Sequence, residues 1–264
     1  MFTKSLSLSV LLLVFLLNAQ AENLDVQQFM IKSDASTKVL DAKSELTMIL
    51  ENEDNQQRIR KLTAFTKLKN DGVSNQRILR FLAPADIKGT VTLLIEQTDQ
   101  DDDMWIYLPS LKKNRRLVSD NKRDSFVGSD LTFGDLIGHK PSEWNSTLQK
   151  EDTFEGKPVY VIESLPKDES VKTHTGYSKR LILIDKQNAV ALKTDYWDES
   201  GQFLKTIQVS DVRLVDVDRS KYQFMDLNAQ NHQNHHKTSL HFDNYKVNQN
   251  LTDSLFTPTA LEKE

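Results

Sequence analysis

From Ala42 onward apolar residues recur at every second position, and this two-residue period constrains the chain more than any other feature it carries. Leu46, Met48 and Leu50 alternate with Glu45 and Thr47, and Leu62, Ala64 and Leu68 alternate with Lys61, Thr63 and Lys67. Successive side chains of a β-strand point to opposite faces, so the alternation describes half-buried antiparallel strands. Asn70-Asp71-Gly72 supplies hairpin-turn chemistry after the second of them. Further strands are expected over residues 77–82, 90–97, 104–108, 159–165, 180–184, 189–197 and 203–217, which together make a long antiparallel meander.

Several of these strands are apolar on both faces: Val91-Thr92-Leu93-Leu94-Ile95, Met104-Trp105-Ile106-Tyr107-Leu108 and Leu181-Ile182-Leu183-Ile184. An antiparallel sheet ordinarily leaves one side wet, so such strands need a second cover: helices, a cavity wall or a bound apolar ligand. Two helical segments are available to supply it. Val26, Phe29 and Met30 fall on one face of a short amphipathic helix near the start. Thr132 stands three residues before Asp135, an N-cap with an acidic partner at N3, and Gly138 suits the stop. That second helix presents Phe133, Leu136 and Ile137 and is too short to persist in water alone, so it must rest on the sheet, as a plain connector or as a mobile lid.

Residues 1–21 carry one early charge at Lys4, an apolar run from Leu6 to Leu17 and Ala19-Gln20-Ala21 as a small-x-small cleavage site, the pattern of a secretory signal peptide. The run falls short of the roughly 20 residues that span a bilayer. With no cysteine, the chain has neither an acylation site of its own nor a disulfide, so packing must stabilise it. Losing Lys4 takes the net charge from −4 to −5, which excludes a globally basic nucleic-acid binder. Residues 22–264 suffice for one sheet-based domain, and no linker or repeat divides them.

No catalytic signature stands out. Gly128-Ser129-Asp130 lacks the nucleophile elbow, and turn formation explains its serine. Asp99, Asp101, Asp102 and Asp103 lack the glycine and distal glutamate of a calcium loop and read as a solvated hairpin tip. His232, His235, His236 and His241 lie in a polar tract that reads as a loop, with metal binding as the alternative. No cofactor is expected, and no residue is assigned to a metal.

One unbroken stretch, 104–136, joins an aromatic strand, a basic hairpin and a short helix start. Its Trp105, Tyr107 and Pro109, the paired Arg115 and Arg116, and the segment Ser125, Phe126, Gly128, Ser129 and Asp130 resemble the LolA-like family of periplasmic outer membrane lipoprotein-sorting proteins. The resemblance implies a mainly β fold, a strongly curved antiparallel sheet forming an incomplete barrel closed by helices around an apolar pocket. It implies a periplasmic carrier of lipid or lipoprotein acyl chains, often partnered by an RND-type inner-membrane exporter. On that reading Trp105, Tyr107, Phe126, Phe133 and Leu136 are candidates for pocket and lid, although aromatic residues are more often plain core. Arg115, Arg116, Lys122 and Arg123 are candidates for contact with headgroups or a partner, although charged hairpin tips are ordinary. A carrier needs no reactive group, only a dry concavity: burying about ten methylenes at roughly 0.8 kcal/mol each yields about 8 kcal/mol before costs. A lipid-sensing adaptor or a non-catalytic accessory subunit of an envelope transporter would share the fold.

Overall fold

The computed structural model describes residues 24–262, so the expected signal peptide lies outside the described residues. The first helix, α1 (Val26–Ser36), is capped by Asp25, whose side chain accepts from the Gln28 amide at 3.0 Å. The strands β1 (Asp41–Glu51), β2 (Gln57–Leu68), β3 (Asn75–Ala83), β4 (Val91–Ile95), β5 (Asp103–Leu108) and β6 (Lys113–Leu117) follow. The short helix α2 (Phe133–Ile137) comes next, then β7 (Trp144–Phe154), β8 (Lys157–Pro166) and helix α3 (Glu169–Thr175). The remaining strands are β9 (Tyr177–Asp185), β10 (Ala191–Asp198), β11 (Phe203–Asp216), β12 (Lys221–Asn231) and β13 (Lys237–Val247). Among the described residues no helix is long and apolar enough to cross a membrane.

All thirteen strands form one antiparallel sheet in the order β6-β5-β4-β3-β2-β1-β13-β12-β11-β10-β9-β8-β7. Every neighbour is consecutive in sequence except the central pair, where β1 meets β13 with Leu46 opposite Phe242 and Met48 opposite Leu240. The sheet is not closed, because its edge strands β6 and β7 do not pair with each other. The fold is therefore mainly β, as the alternating pattern requires, and an open half-barrel with covering helices, as the family resemblance implies. The turn at Asn70-Asp71-Gly72 is present: Gly72 has φ +71°, and the Asp71 carboxylate accepts from the Val73 and Ser74 amides.

This strand order dictates where the cover lies. The chain leaves one edge at Leu117 and re-enters the opposite edge at Trp144, so residues 118–143 must travel across the open side of the half-barrel. Helix α2 belongs to that crossing. Phe126, Leu131, Phe133 and Ile137 from the crossing pack with Leu79, Phe81, Met104 and Leu117 of the sheet in one buried cluster. At roughly 1.5–3 kcal/mol for each large apolar side chain removed from water, this packing holds down a helix with too few turns to form alone. Helix α1 covers the far end, where Phe29 and Met30 rest on Ile162, Ile182 and Ile184.

The strands apolar on both faces are covered twice. On β3 to β5, Leu79, Leu94 and Met104 face the crossing, whereas Ile78, Val91 and Leu93 pack on the reverse side under Phe256 and Leu261 of the C-terminal segment. Asn114 fastens that segment by donating to the Pro258 carbonyl at 3.0 Å and to Glu262 at 2.7 Å. The acidic run departs from the solvated tip expected of it. Asp102 is buried, its side chain 2% exposed, and it pairs with Lys122 at 2.6 Å and Lys140 at 3.1 Å, near the two ends of the crossing.

Candidate functional site

Between the inner face of the sheet, α1 and the crossing lies a cavity of about 360 Å³. Leu46, Leu79, Ile182, Ile207, Leu240 and Phe242 supply its sheet wall, and Met30, Leu131 and Leu136 its cover. The size falls within the roughly 300–1,000 Å³ typical of small-molecule pockets.

Charged side chains gather at two places on this wall. Near the end of α1, Lys38 binds Glu96 and Asp34, each at 2.7 Å, and Arg77 stands 3.5 Å from Glu96. Two cations there face two anions. Arg77 also donates to the Leu136 and Ile137 carbonyls at 2.5 and 3.0 Å, satisfying acceptors that the end of α2 leaves open.

The second gathering lies beneath the start of α2. Thr132 and Asp135 form the reciprocal cap expected from their spacing, the Asp135 amide donating to Thr132 at 3.0 Å and the Thr132 amide donating to Asp135 at 2.7 Å. The Asp135 carboxylate also meets the Lys205 ammonium at 2.5 Å and accepts from the Tyr177 hydroxyl at 3.0 Å. Lys205 further donates to the Asp130 carbonyl at 2.9 Å. Burial, the largest single influence, would raise the Asp135 carboxyl, but the Lys205 charge together with the hydrogen bonds from His139 and Lys205 outweighs it and holds the group well below the usual carboxylate range. Burial, then the Arg180 charge, pushes the His139 imidazole down to about 4, so it is neutral at pH 7. Burial, then the Asp135 charge, raises the Tyr177 and Tyr196 hydroxyls, which therefore stay protonated.

Arg180 belongs to the same wall and is 5% exposed. Its guanidinium lies 3.8 Å from the Trp144 ring centroid, and burial lowers it to about 10, still cationic at neutral pH. Among the described residues it forms no ion pair, and its Nε has no hydrogen-bond partner.

The residues singled out from sequence are distributed differently from one another. Leu136 lines the cavity. Phe126 and Phe133 sit beside it in the buried cluster, their rings 5.4 Å apart, and Phe126 stacks on Phe81 at 5.9 Å. Trp105 and Tyr107 were expected to face the pocket, but the structure puts them on the reverse face with Val91 and Leu93 under the C-terminal segment. The reason is parity: Met104 takes the inner side, so its neighbour at 105 and the residue at 107 must take the outer one.

The basic residues also divide. Lys122 differs from the expectation of headgroup contact because it turns inward to Asp102. Arg123 pairs with Glu199 at 2.7 Å, Arg116 pairs with Asp103 at 2.6 Å, and Arg115 is exposed on the edge strand β6. The Ser125 to Asp130 segment forms a tight loop. Ser125 donates to the Ser129 carbonyl at 2.6 Å, Gly128 adopts φ +75°, Ser129 contacts Leu131, and Asp130 exchanges hydrogen bonds with Thr238 at the centre of the sheet. His232, His235 and His236 occupy the turn between β12 and β13, whereas His241 lies within β13 beside Asp226.

Lys205 and Arg180 were not recognised from sequence. Each shares strand parity with inward-facing apolar neighbours, Lys205 with Ile207 and Val209, and Arg180 with Ile182 and Ile184. A cation in the inward register of an apolar strand is the signal that identifies both.

A family profile, described only as that of an uncharacterized protein, matches residues 74–263. Among solved structures, a domain provisionally assigned to outer membrane lipoprotein sorting, from Vibrio parahaemolyticus, is 26% identical and superposes with a TM-score of 0.82 over 90% of this chain and 98% of its own. A DUF1329 family protein from Desulfovibrio piger ATCC 29098 is also 26% identical, with a TM-score of 0.81 over 89% and 97%. A LolA superfamily protein from Nitrosomonas europaea shares the fold at 18% identity, with a TM-score of 0.66 over 88% and 96%. No curated protein matches the chain. The chain belongs to the family that this profile describes, and it shares its fold with the lipoprotein-sorting domain and the LolA superfamily protein.

Proposed function

We propose that this protein is a periplasmic carrier that shelters the acyl chain of a lipid or lipoprotein in the cavity between sheet and crossing and conveys it toward the outer membrane. The observation that supports this reading is the cavity itself: about 360 Å³ of space walled by Leu46, Leu79, Ile207, Leu240 and Phe242, within a fold shared with a lipoprotein-sorting domain. Residues 22–264 act as one carrier domain, residues 1–21 direct export, and an RND-type inner-membrane exporter supplies or accepts the cargo. Leu136 forms the movable side of the pocket, with Phe126 and Phe133 seating the cover behind it. The exposed Arg115, next to the Arg116–Asp103 pair on edge strand β6, is offered to headgroups or to the exporter. The role is non-catalytic, because transfer requires only that one conformation hold the chain less tightly than another.

Mass spectrometry of lipid extracted from protein gently purified from periplasm tests the reading, together with transfer of a labelled lipid between donor and acceptor vesicles. Co-purified acyl lipid and accelerated transfer are expected. Binding without acceleration would point to a sensor, and a consistently lipid-free protein would overturn the proposal.

A further inference from the structure

We infer that Arg180 forms a recognition site for an anionic oxygen group, a carboxylate or a phosphate, at the end of an acyl chain held in the cavity. The inference rests on the carrier reading and specifies the polar end of its ligand.

Arg180 lines the cavity at 5% exposure, yet no carboxylate pairs with it among the described residues and its Nε lacks an acceptor. Beside it the Trp144 indole nitrogen is also buried without a partner. Buried donors in folded proteins are almost always satisfied, and a buried charge is ordinarily paired. An unpaired guanidinium opening on a cavity is therefore poised for an acceptor that arrives with a ligand.

The charge balance around it points to the sign of that ligand. Asp135 is the fully buried acid of this gathering, and it is already occupied by Lys205, Tyr177 and the Thr132 amide. With His139 neutral, Arg180 is balanced only through space, by Asp135, which Lys205 already occupies, and by Glu143, which stands 3.8 Å from Lys140, so its positive charge is in excess of the carboxylates it contacts. At the other gathering Lys38 and Arg77 are matched by Asp34 and Glu96, so the excess is local to the Arg180 end.

Geometry favours an oxyanion that presents two paired oxygens. Contact with the Trp144 ring at 3.8 Å restrains the guanidinium, whose planar fork matches the paired oxygens of a carboxylate or phosphate. The apolar wall begins directly beside it at Ile182 and continues through Ile207 to Leu240 and Phe242. A ligand with an anionic head at β9 and a hydrocarbon tail running across β11, β13 and β1 satisfies both surfaces at once.

Calorimetric titration of the delipidated protein with hexadecanoate, hexadecyl phosphate and hexadecanol, each as monomer, tests the assignment. At least one anion should bind about tenfold or more tightly than the alcohol, as a charge-assisted hydrogen bond requires. Arg180→Met should abolish that preference, and Arg180→Lys should retain part of it. Which anion is preferred distinguishes a carboxylate from a phosphate ligand. Equal affinity of all three for the unmodified protein overturns the Arg180 site and leaves the carrier reading standing, a result that needs no variant to fold. A preference that persists in Arg180→Met also overturns the site, and absence of binding by any of the three overturns both readings.

Discussion

Lys205 on β11 meets Asp135 on α2 at 2.5 Å, joining the floor of the cavity to its cover through an ion pair whose side chains are 2% and 3% exposed. Removing one partner strands the other as an uncompensated buried charge. Lys205→Met should therefore cost about 3–5 kcal/mol of unfolding free energy, whereas Lys205→Met with Asp135→Leu should recover much of it. Urea titration of the two single variants and the double variant measures the coupling. Additive losses would show that the pair does not act as a unit.

His139 makes stability depend on pH. Its folded value is about 4 against an ordinary 6.5, so the unfolded chain takes up the proton first as pH falls. Between those values the unfolded state binds more protons, and stability rises with pH. The contribution is complete above about pH 6.5 and declines toward pH 4, by about 3 kcal/mol in all. Asp135, whose folded value is also depressed, adds a further loss below the ordinary carboxylate range. In His139→Phe the slope between pH 4 and 6.5 should flatten by up to one proton, as read from urea midpoints at stepped pH; an unchanged slope would assign the titration elsewhere.

Asp102 fastens the crossing near both ends, through Lys122 and Lys140. Asp102→Asn keeps the shape but removes the charge, leaving the buried Lys122 without its anion, and should destabilise by roughly 3 kcal/mol. The loss should fall first on residues 118–143. Limited proteolysis with mapped cleavage sites should show cuts in this segment before cuts in the sheet, and uniform cleavage would contradict the assigned role.

Ala64 faces the cavity from β2. Ala64→Phe should occupy space otherwise open to the ligand, and excluding even two methylenes at about 0.8 kcal/mol each lowers affinity roughly tenfold. Because the new ring enters existing space, the thermal midpoint should change little. Binding of a fluorescent acyl probe beside a melting curve separates the two effects, and full affinity in a well-folded variant would place the ligand elsewhere.

Much of the architecture was legible before any coordinates. Period-two alternation marked β1 and β2, the spacing of Thr132, Asp135 and Gly138 marked α2, and the doubly apolar strands showed that both faces need cover. Strand β7 escaped because, as an edge strand with most of its residues exposed, it has little apolar side to betray it. The reverse cover was hidden because Phe256 and Leu261 meet β3 and β4 only through long-range packing. Trp105 and Tyr107 were misplaced for a related reason. Alternation shows that neighbours oppose each other, but only the pairing of Met104 with Leu94 and Leu117 fixes which of them looks inward. The pocket's charged residues were overlooked because Lys and Arg on a strand ordinarily read as solvent-facing.

The pairing of β1 with β13 has a consequence for assembly. Ala42 finds its partner Val247 roughly 200 residues downstream, while every other ladder joins strands that are neighbours in sequence. A chain emerging amino end first can therefore stack two separate fans of hairpins, one from each half, as synthesis proceeds. Neither fan encloses anything. The seam between them, and with it the sheltered interior, forms only after the last strand is delivered, so the cavity cannot admit anything until the protein is whole.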